Sequence, residues 1–449
     1  MALELTTETS DSLIRTLREL VQIPSISLEG PDSPSISECA NRVADEFRSL
    51  GASVEMLEIP DAPPAVFGEF KSSNSDAPTV LLYSHYDVQP VGNIEDWSRE
   101  PFEPVEDGGR LFGRGASDDK SGIVTHLGAI QLLLDEQQRL PCHVKILIEG
   151  EEELGSPHAS MFIEKYGDKL HADAVIIADS SHWSVGQPAV TSSLRGVVDC
   201  VLSVRTLSAG VHSGEYGGAV PDALMALSRI ISTLHDDDGT VAVAGLVTKT
   251  EGDVDISESE MITKAGGVSD LQTIGRGQVL SRIWAQPAIS VLAIDAPSIS
   301  EAVNLIVPEA SAKISMRIPP GQDADVALQL LSEHLVTAAP WGVEITVIPG
   351  TTAEAFSANL NGPITRAFEE GMAYAWDTAP KRIGLGGSIP LVADLQALLP
   401  AAEIVITGVG EPISRIHGPD ESQDLGELRK NIIAEAHAIR SLSEINAEW

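Results

Sequence analysis

Four carboxylates fall within five positions of the stretch EGEEELGS, at Glu149, Glu151, Glu152 and Glu153, directly after the apolar run VKILI. Like charges repel, so such a cluster is either a solvated loop or a place that meets a cation. Other strand-like runs end in the same residue types. TVLLYSHYD leads into His85 and Asp87, ADAVIIADS ends in Asp179, and EIVITGVGEPISRIHGPDES runs on to His417. Singly these are ordinary: a hydrogen-bonded histidine, a turn carboxylate, an acidic surface. Together they are a donor set for divalent metal, because imidazole suits zinc and carboxylates supply hard oxygens that can bridge two ions. Two ions roughly 3.5–4 Å apart polarise a carbonyl and generate a hydroxide nucleophile.

The segment GRGASDDKSG, residues 113–122, contains a GxG that invites a phosphate-loop reading. The dinucleotide fingerprint requires GxGxxG and the P-loop requires GxxxxGK[ST]. Here Asp118 stands where the third glycine belongs, and its carboxylate repels a pyrophosphate and attracts a cation.

The elements that must carry these residues alternate. Helical periodicity covers residues 10–22 and 37–50, with Gly51 as a stop for the second. Strand-like SVEML, AVFGEF and TVLLYSH follow. SDDKSGIVTHLGAIQLLLDEQQ reads as a helix starting near Ser117 or Asp118, and HVKILIEG and ADAVIIADS as buried strands. This predicts an α/β domain with a mixed, largely parallel sheet and helices on both faces, in which ligands bind beyond the carboxyl ends of the strands. Near residue 190 the pattern changes. AVTSSLRGVVDCVLSVRT alternates like one antiparallel strand, and AISVLAID, ASAKISMRI and VEITVIPG add strands to two helices. The α/β pattern resumes near 355. The expected organisation is a catalytic domain at 1–191 and 353–449, interrupted by an inserted α+β domain at 192–352.

Composition bounds the partners. The net charge is −37, which disfavours nucleic acid and anionic membranes. Cys39, Cys142 and Cys200 are sparse and form no CxxC pair, pointing to a reducing compartment. The N-terminal stretch lacks the basic and apolar regions of a signal peptide, and no run reaches a membrane span, so a cytoplasmic location is expected.

YSHYDVQP, LFGRGASDDKSG, EGEEELGS, ADS, GVHSGEYGGAVP, GGSIP and HGPDES occur in that order. The chain thereby resembles, from near residue 10 to the C-terminal helix, the co-catalytic dizinc metallopeptidases that include aminoacylases, carboxypeptidase G and carnosinase-like dipeptidases, and most of all the dipeptidase branch. The resemblance implies hydrolysis of the amide bond of dipeptides or short peptides, with N-acyl amino acids as the alternative substrate class and a non-catalytic binding homologue as the other reading. It implies two divalent ions per subunit, zinc first, with manganese or cobalt also compatible. His85 and Asp179 would hold one ion, Glu153 and His417 the other, and Asp118 would bridge them, followed by a peptide bond that is commonly cis in the family. Asp87 would orient His85, and Glu152 would be the general base. The inserted domain would serve as a dimerisation or lid domain of a homodimer. From it His212 would reach the partner's active site, while Arg317, Asn304 and the backbone of Gly386, Gly387 and Ser388 would bind the substrate's carboxylate. One departure stands out: the family's REGGS is GLGGS here, with Gly384 and Leu385 in place of Arg and Glu, and Arg382 as the nearby candidate to compensate. Glu149 and Glu151 are left with a support or surface role.

Overall fold

A computed structural model describes residues 3–249, 254–387 and 389–442. The chain divides into two compact units, one of Met1–Ser192, Ala358–Ile383 and Ile389–Trp449, the other of Ser193–Ser357 and Gly384–Ser388.

The first unit is built on a sheet whose path runs Ser53–Leu57, Ala65–Phe70, His143–Glu149, Thr79–His85, Ala174–Ile177, Glu403–Ile406 and Ala189–Leu194. The middle four strands are mutually parallel, with Val80 opposite both Val144 and Ala174, and Val175 opposite Ile404. Antiparallel strands flank them on both sides. Parallel strands covered on both faces read as continuous apolar runs, which is why TVLLY and AVII show no alternation. Val80, Leu82, Ile146, Ile148 and Ile176 turn to one face and join a core with Leu17, Leu20, Val43, Phe47, Ile130, Phe368 and Ile432 from the helices there. Each such fully buried aliphatic side chain contributes roughly 1.5–3 kcal/mol. Leu147 points to the other face, where it lines a small cavity with Ala159 and Phe162 of the helix Ala159–Tyr166 and Leu391 of the helix Pro390–Leu398.

The helix expected to begin near Ser117 or Asp118 spans Lys120–Gln137, with Asp119 as its cap residue. The backbone N–H groups of Ser117 and Asp118 donate to the Glu421 carboxylate at 3.0 and 3.1 Å, so a residue some 300 positions away in the sequence holds these groups outside the helix. Lys120, wholly buried, donates to Leu20 O at 2.8 Å and Ile23 O at 2.7 Å. It thereby satisfies carbonyls at the C-terminal end of the helix Thr7–Val21, where a cation is favoured.

The second unit has an antiparallel sheet in the order Ala288–Asp295, Glu309–Ile318, Gly196–Arg205, Glu344–Ala353. Its helices Ala223–Ser232 and Ala324–Thr337 pack Leu227, Ile230, Leu331 and Leu335 against Leu202, Val204, Ile314 and Met316. The run read as one strand over AVTSSLRGVVDCVLSVRT is two, Ala189–Leu194 and Gly196–Arg205, in different sheets. At Gly196 a Cβ would lie 2.4 Å from Ala353 O, so the passing chain requires glycine there. The two-residue alternation continues across Arg195, which hides the break from the sequence.

Candidate metal centre

The parallel strands place their carboxyl ends along one edge. Thr79–His85 ends in His85 itself, His143–Glu149 leads into the 3-10 turn Glu152–Leu154, Ala174–Ile177 is followed by Asp179, and Glu403–Ile406 by the loop of His417. Two donor clusters result, His85 with Glu152 and Asp179, and Asp118 with Glu153 and His417, the donor atoms of each lying within 4.8 Å of one another.

Asp118 spans both clusters. Its Oδ1 lies 3.1 Å from His85 Nε2 and its Oδ2 2.9 Å from His417 Nε2, which is also 3.1 Å from Glu153 Oε2. The peptide bond from Asp118 to Asp119 is cis. On the other side of His85, Nδ1 faces Asp87, 3.2 Å from Oδ1 and 3.1 Å from the backbone carbonyl. Two acceptors there fix the proton on Nδ1 and leave the Nε2 lone pair aimed at carboxylate oxygens of Asp118 and, 3.9 Å away, Asp179. A lone pair facing two carboxylates is repulsive unless a metal ion, or without one a proton on Nε2, stands between them. The residues therefore fit a pair of divalent ions by donor chemistry and by arrangement.

Without that cation the charges must be carried by protons. Burial pushes the Asp179 carboxyl well above the usual range, with Asp119 and Asp118 adding to it. Burial and then Asp179 do the same to Glu152. For Asp118 burial acts upward, but hydrogen bonds from His417 and His85 outweigh it and hold the group low. The contact with Asp118, then that with Glu153, raises His417 to about 10.

A supporting layer fixes the donors. Asp87 accepts the Glu152 and Glu153 N–H groups at 3.2 and 3.1 Å, so it holds the acidic turn as well as His85. Gln89 donates to Glu153 Oε2 at 2.8 Å. Glu149 is buried, accepts from Tyr83 Oη and from Ser156 Oγ, and is pushed by burial to about 7. Glu151 accepts from His158 at both the backbone N–H, 3.1 Å, and Nδ1, 2.8 Å. Both glutamates are thus structural supports and neither is a surface charge. Arg114 and Glu421, wholly buried, pair at 2.5 Å behind the Asp118 loop. Sequence reasoning gave no role to Gln89, Arg114 or Glu421. All three stand inside the motifs that carry the donors, which was their only signal.

Residues 81–441 match the model of peptidase family M20/M25/M40. The chain belongs to this family. It is 34% identical over 96% of its length to the cysteinylglycine-S-conjugate dipeptidase of Corynebacterium striatum, of which 95% is covered. Among solved structures, the M20 family metallo-carboxypeptidase Sso-CP2 of Sulfolobus solfataricus superposes with a TM-score of 0.82 at 27% identity, over 96% of this chain and 99% of that one. The dipeptidase Dug1p of Saccharomyces cerevisiae shares the fold, with a TM-score of 0.80 at 23% identity over 97% of this chain and 98% of the other. This M20 chain is therefore a metallopeptidase in family and fold.

The remaining candidate residues of the M20 chain lie in the second unit. His212 sits on the two-residue strand Val211–His212, paired with Leu305–Ile306, and its Nδ1 accepts the Gly214 N–H at 3.0 Å. The Ser213 N–H donates to Asn304 O at 3.1 Å, so His212 and Asn304 are neighbours. Arg317 lies on the strand Glu309–Ile318 opposite Val197, close enough to Arg195 that its charge, after burial, helps lower that guanidinium to about 10. Arg195 Nε donates to Gly386 O at 3.1 Å, beside Gly387. Ser388 lies outside the described residues. At the first residue of GLGGS, a Cβ on Gly384 would fall 2.7 Å from the Trp284 side chain, which occupies the space a larger residue requires. Arg382, the nearby candidate to compensate, is bound to Glu369 by contacts of 2.6 and 2.9 Å and to Leu360 O.

Proposed function

We propose that the chain is a dizinc dipeptidase acting as a homodimer in the cytoplasm. The observation that carries the metal reading is Asp118, whose two oxygens face the two histidine-bearing clusters separately. Family membership and the dipeptidase relatives support the reaction class. The three cysteines are free, which agrees with a reducing compartment. Among the described residues no helix is long and apolar enough to cross a membrane.

His85 and Asp179 would hold one ion, Glu153 and His417 the other, and Asp118 both. Bound there, the ions would supply Lewis-acid polarisation of the scissile carbonyl and an acidified water. Glu152, in the first cluster with His85 and Asp179, would accept the water's proton and return it to the leaving amine. Asp87 keeps the turn carrying Glu152 and the ring of His85 in place. His212 of the partner subunit donates to the developing oxyanion. Arg317, with Asn304 and the backbone of Gly386, Gly387 and Ser388, takes the substrate's terminal carboxylate.

The test is a substrate panel on protein stripped of metal and reloaded with zinc, manganese or cobalt. Cysteinylglycine and its S-conjugates, other dipeptides, tripeptides and N-acyl amino acids are compared by kcat/KM. The reading expects two ions per chain, loss of activity on chelation, and dipeptides at least tenfold ahead. A preference for N-acyl amino acids replaces it with the deacylase reading.

A further inference from the structure

The buried pair Arg114–Glu421 touches neither donor cluster through its side-chain charges, yet the polar contacts of its side chains lead to segments that carry or follow a donor. Glu421 Oε1 accepts the N–H groups of Ser117 and Asp118 at 3.0 and 3.1 Å, and Oε2 accepts Gly115 N–H at 3.1 Å and Arg114 Nη1 at 2.5 Å. Arg114 Nη2 donates to His417 O at 3.0 Å and Pro90 O at 3.3 Å. The Gly113 N–H closes the ring by donating to Glu421 O at 2.9 Å.

These contacts decide two orientations. Asp118 can present one oxygen to each cluster only if its backbone is held, and its N–H is fixed by Glu421. His417 stands on a loop where Arg415, His417 and Asp420 all have positive φ, 54°, 63° and 57°. Non-glycine residues in that conformation cost about 1–3 kcal/mol each and persist only when their surroundings hold them. The arginine fork supplies one such hold, on the His417 carbonyl. Glu421 thus anchors the loop of Asp118, Arg114 the loop of His417, and the ion pair ties the two together. His85 and Asp179 are carried on other strands, and the link meets their cluster through Asp118 and through Pro90, five residues past His85, whereas it holds two donors of the second cluster, Asp118 and His417.

We infer that Arg114 and Glu421 are a positioning pair that sets the metal affinity of the centre, and most strongly that of the Asp118–Glu153–His417 site, two of whose donors stand on the loops the pair holds. The inference rests on the metal reading above. A buried ion pair with a merely structural role would lower stability without separating the two sites.

The experiment titrates zinc calorimetrically into the metal-free full chain. The wild type is expected to take two equivalents. Glu421→Gln, which removes the charge but keeps the shape, and Arg114→Lys, which keeps the charge but removes the fork, should each weaken the second equivalent by about 10–100-fold. The first equivalent, which shares Asp118 but not His417, should weaken by less in both, so that the ratio of the two affinities widens. Glu435→Gln, which breaks the buried His126–Glu435 pair of the same unit, should leave the ratio of the two affinities unchanged. Wild-type affinities in both variants, or equal weakening of both equivalents, overturn the inference. If Glu421→Gln does not fold, Arg114→Lys decides alone. A wild type that binds no second equivalent sinks the metal reading itself, and this inference with it.

Discussion

Glu152 and Glu153 are adjacent in the chain and chemically identical, and the fold gives them different neighbours. Glu153 contacts His417 and Gln89, while Glu152 stands with His85 and Asp179 and is raised by burial and by Asp179. The motif resemblance makes Glu152 the general base and Glu153 the ligand, and Glu153 is held between an imidazole and an amide. Glu152→Gln should therefore lower kcat by about 10²–10⁴ or more, the usual worth of a general base. Metal content, read by elemental analysis, should be unchanged. Residual turnover near the wild-type rate would remove Glu152 from that role. The sequence already separated these two residues from Glu149 and Glu151 through motif resemblance. It could not show that Glu149 and Glu151 are buried and spoken for by Tyr83, Ser156 and His158, because those partners depend on how the turn folds back.

At the scale of elements, the centre depends on loops that run side by side beyond the sheet. The loop after Ala174–Ile177 and the loop after Glu403–Ile406 continue the parallel pairing: Thr407 N–H donates to Ile177 O at 2.8 Å and His182 N–H to Gly410 O at 2.6 Å. Between those contacts Gly408 passes so close that a Cβ would lie 1.8 Å from Ser180 O. Backbone cannot yield as a flexible side chain can. Gly408→Ala should push the Asp179 loop from the His417 loop, with a destabilisation of about 1–3 kcal/mol. Thermal unfolding and zinc per chain, measured together, should both fall, and an unchanged metal content would show that the close approach is not what sets the donors. The strands themselves were legible from their apolar runs. The start of the helix Lys120–Gln137 was legible to within a few residues, but the hold of Glu421 on the N–H groups just before it was not, since no local signal near residue 117 reveals it.

At the scale of the whole molecule, the proposal that His212 serves the site of a partner subunit has a test that needs no further structure. Glu152→Gln and His212→Ala should each impair turnover as homodimers. Subunits mixed after dissociation should recover activity above either parent, because one of the two sites then receives an intact Glu152 and an intact partner His212. No recovery in verified mixed dimers would place His212 elsewhere in the reaction, or in none.

The sequence by itself determined the fold class and the family, because strand periodicity and the order of short motifs are local properties. It also named the donor types. Only the tertiary structure decided that Asp118 turns one oxygen to each histidine, that Arg382 is bound elsewhere, and that a buried arginine and glutamate tie the donor loops together. Those facts depend on contacts between residues up to about 300 positions apart, such as Arg114 with His417 and Glu421. Spacing along the chain carries no record of which backbone groups meet once the sheet has formed.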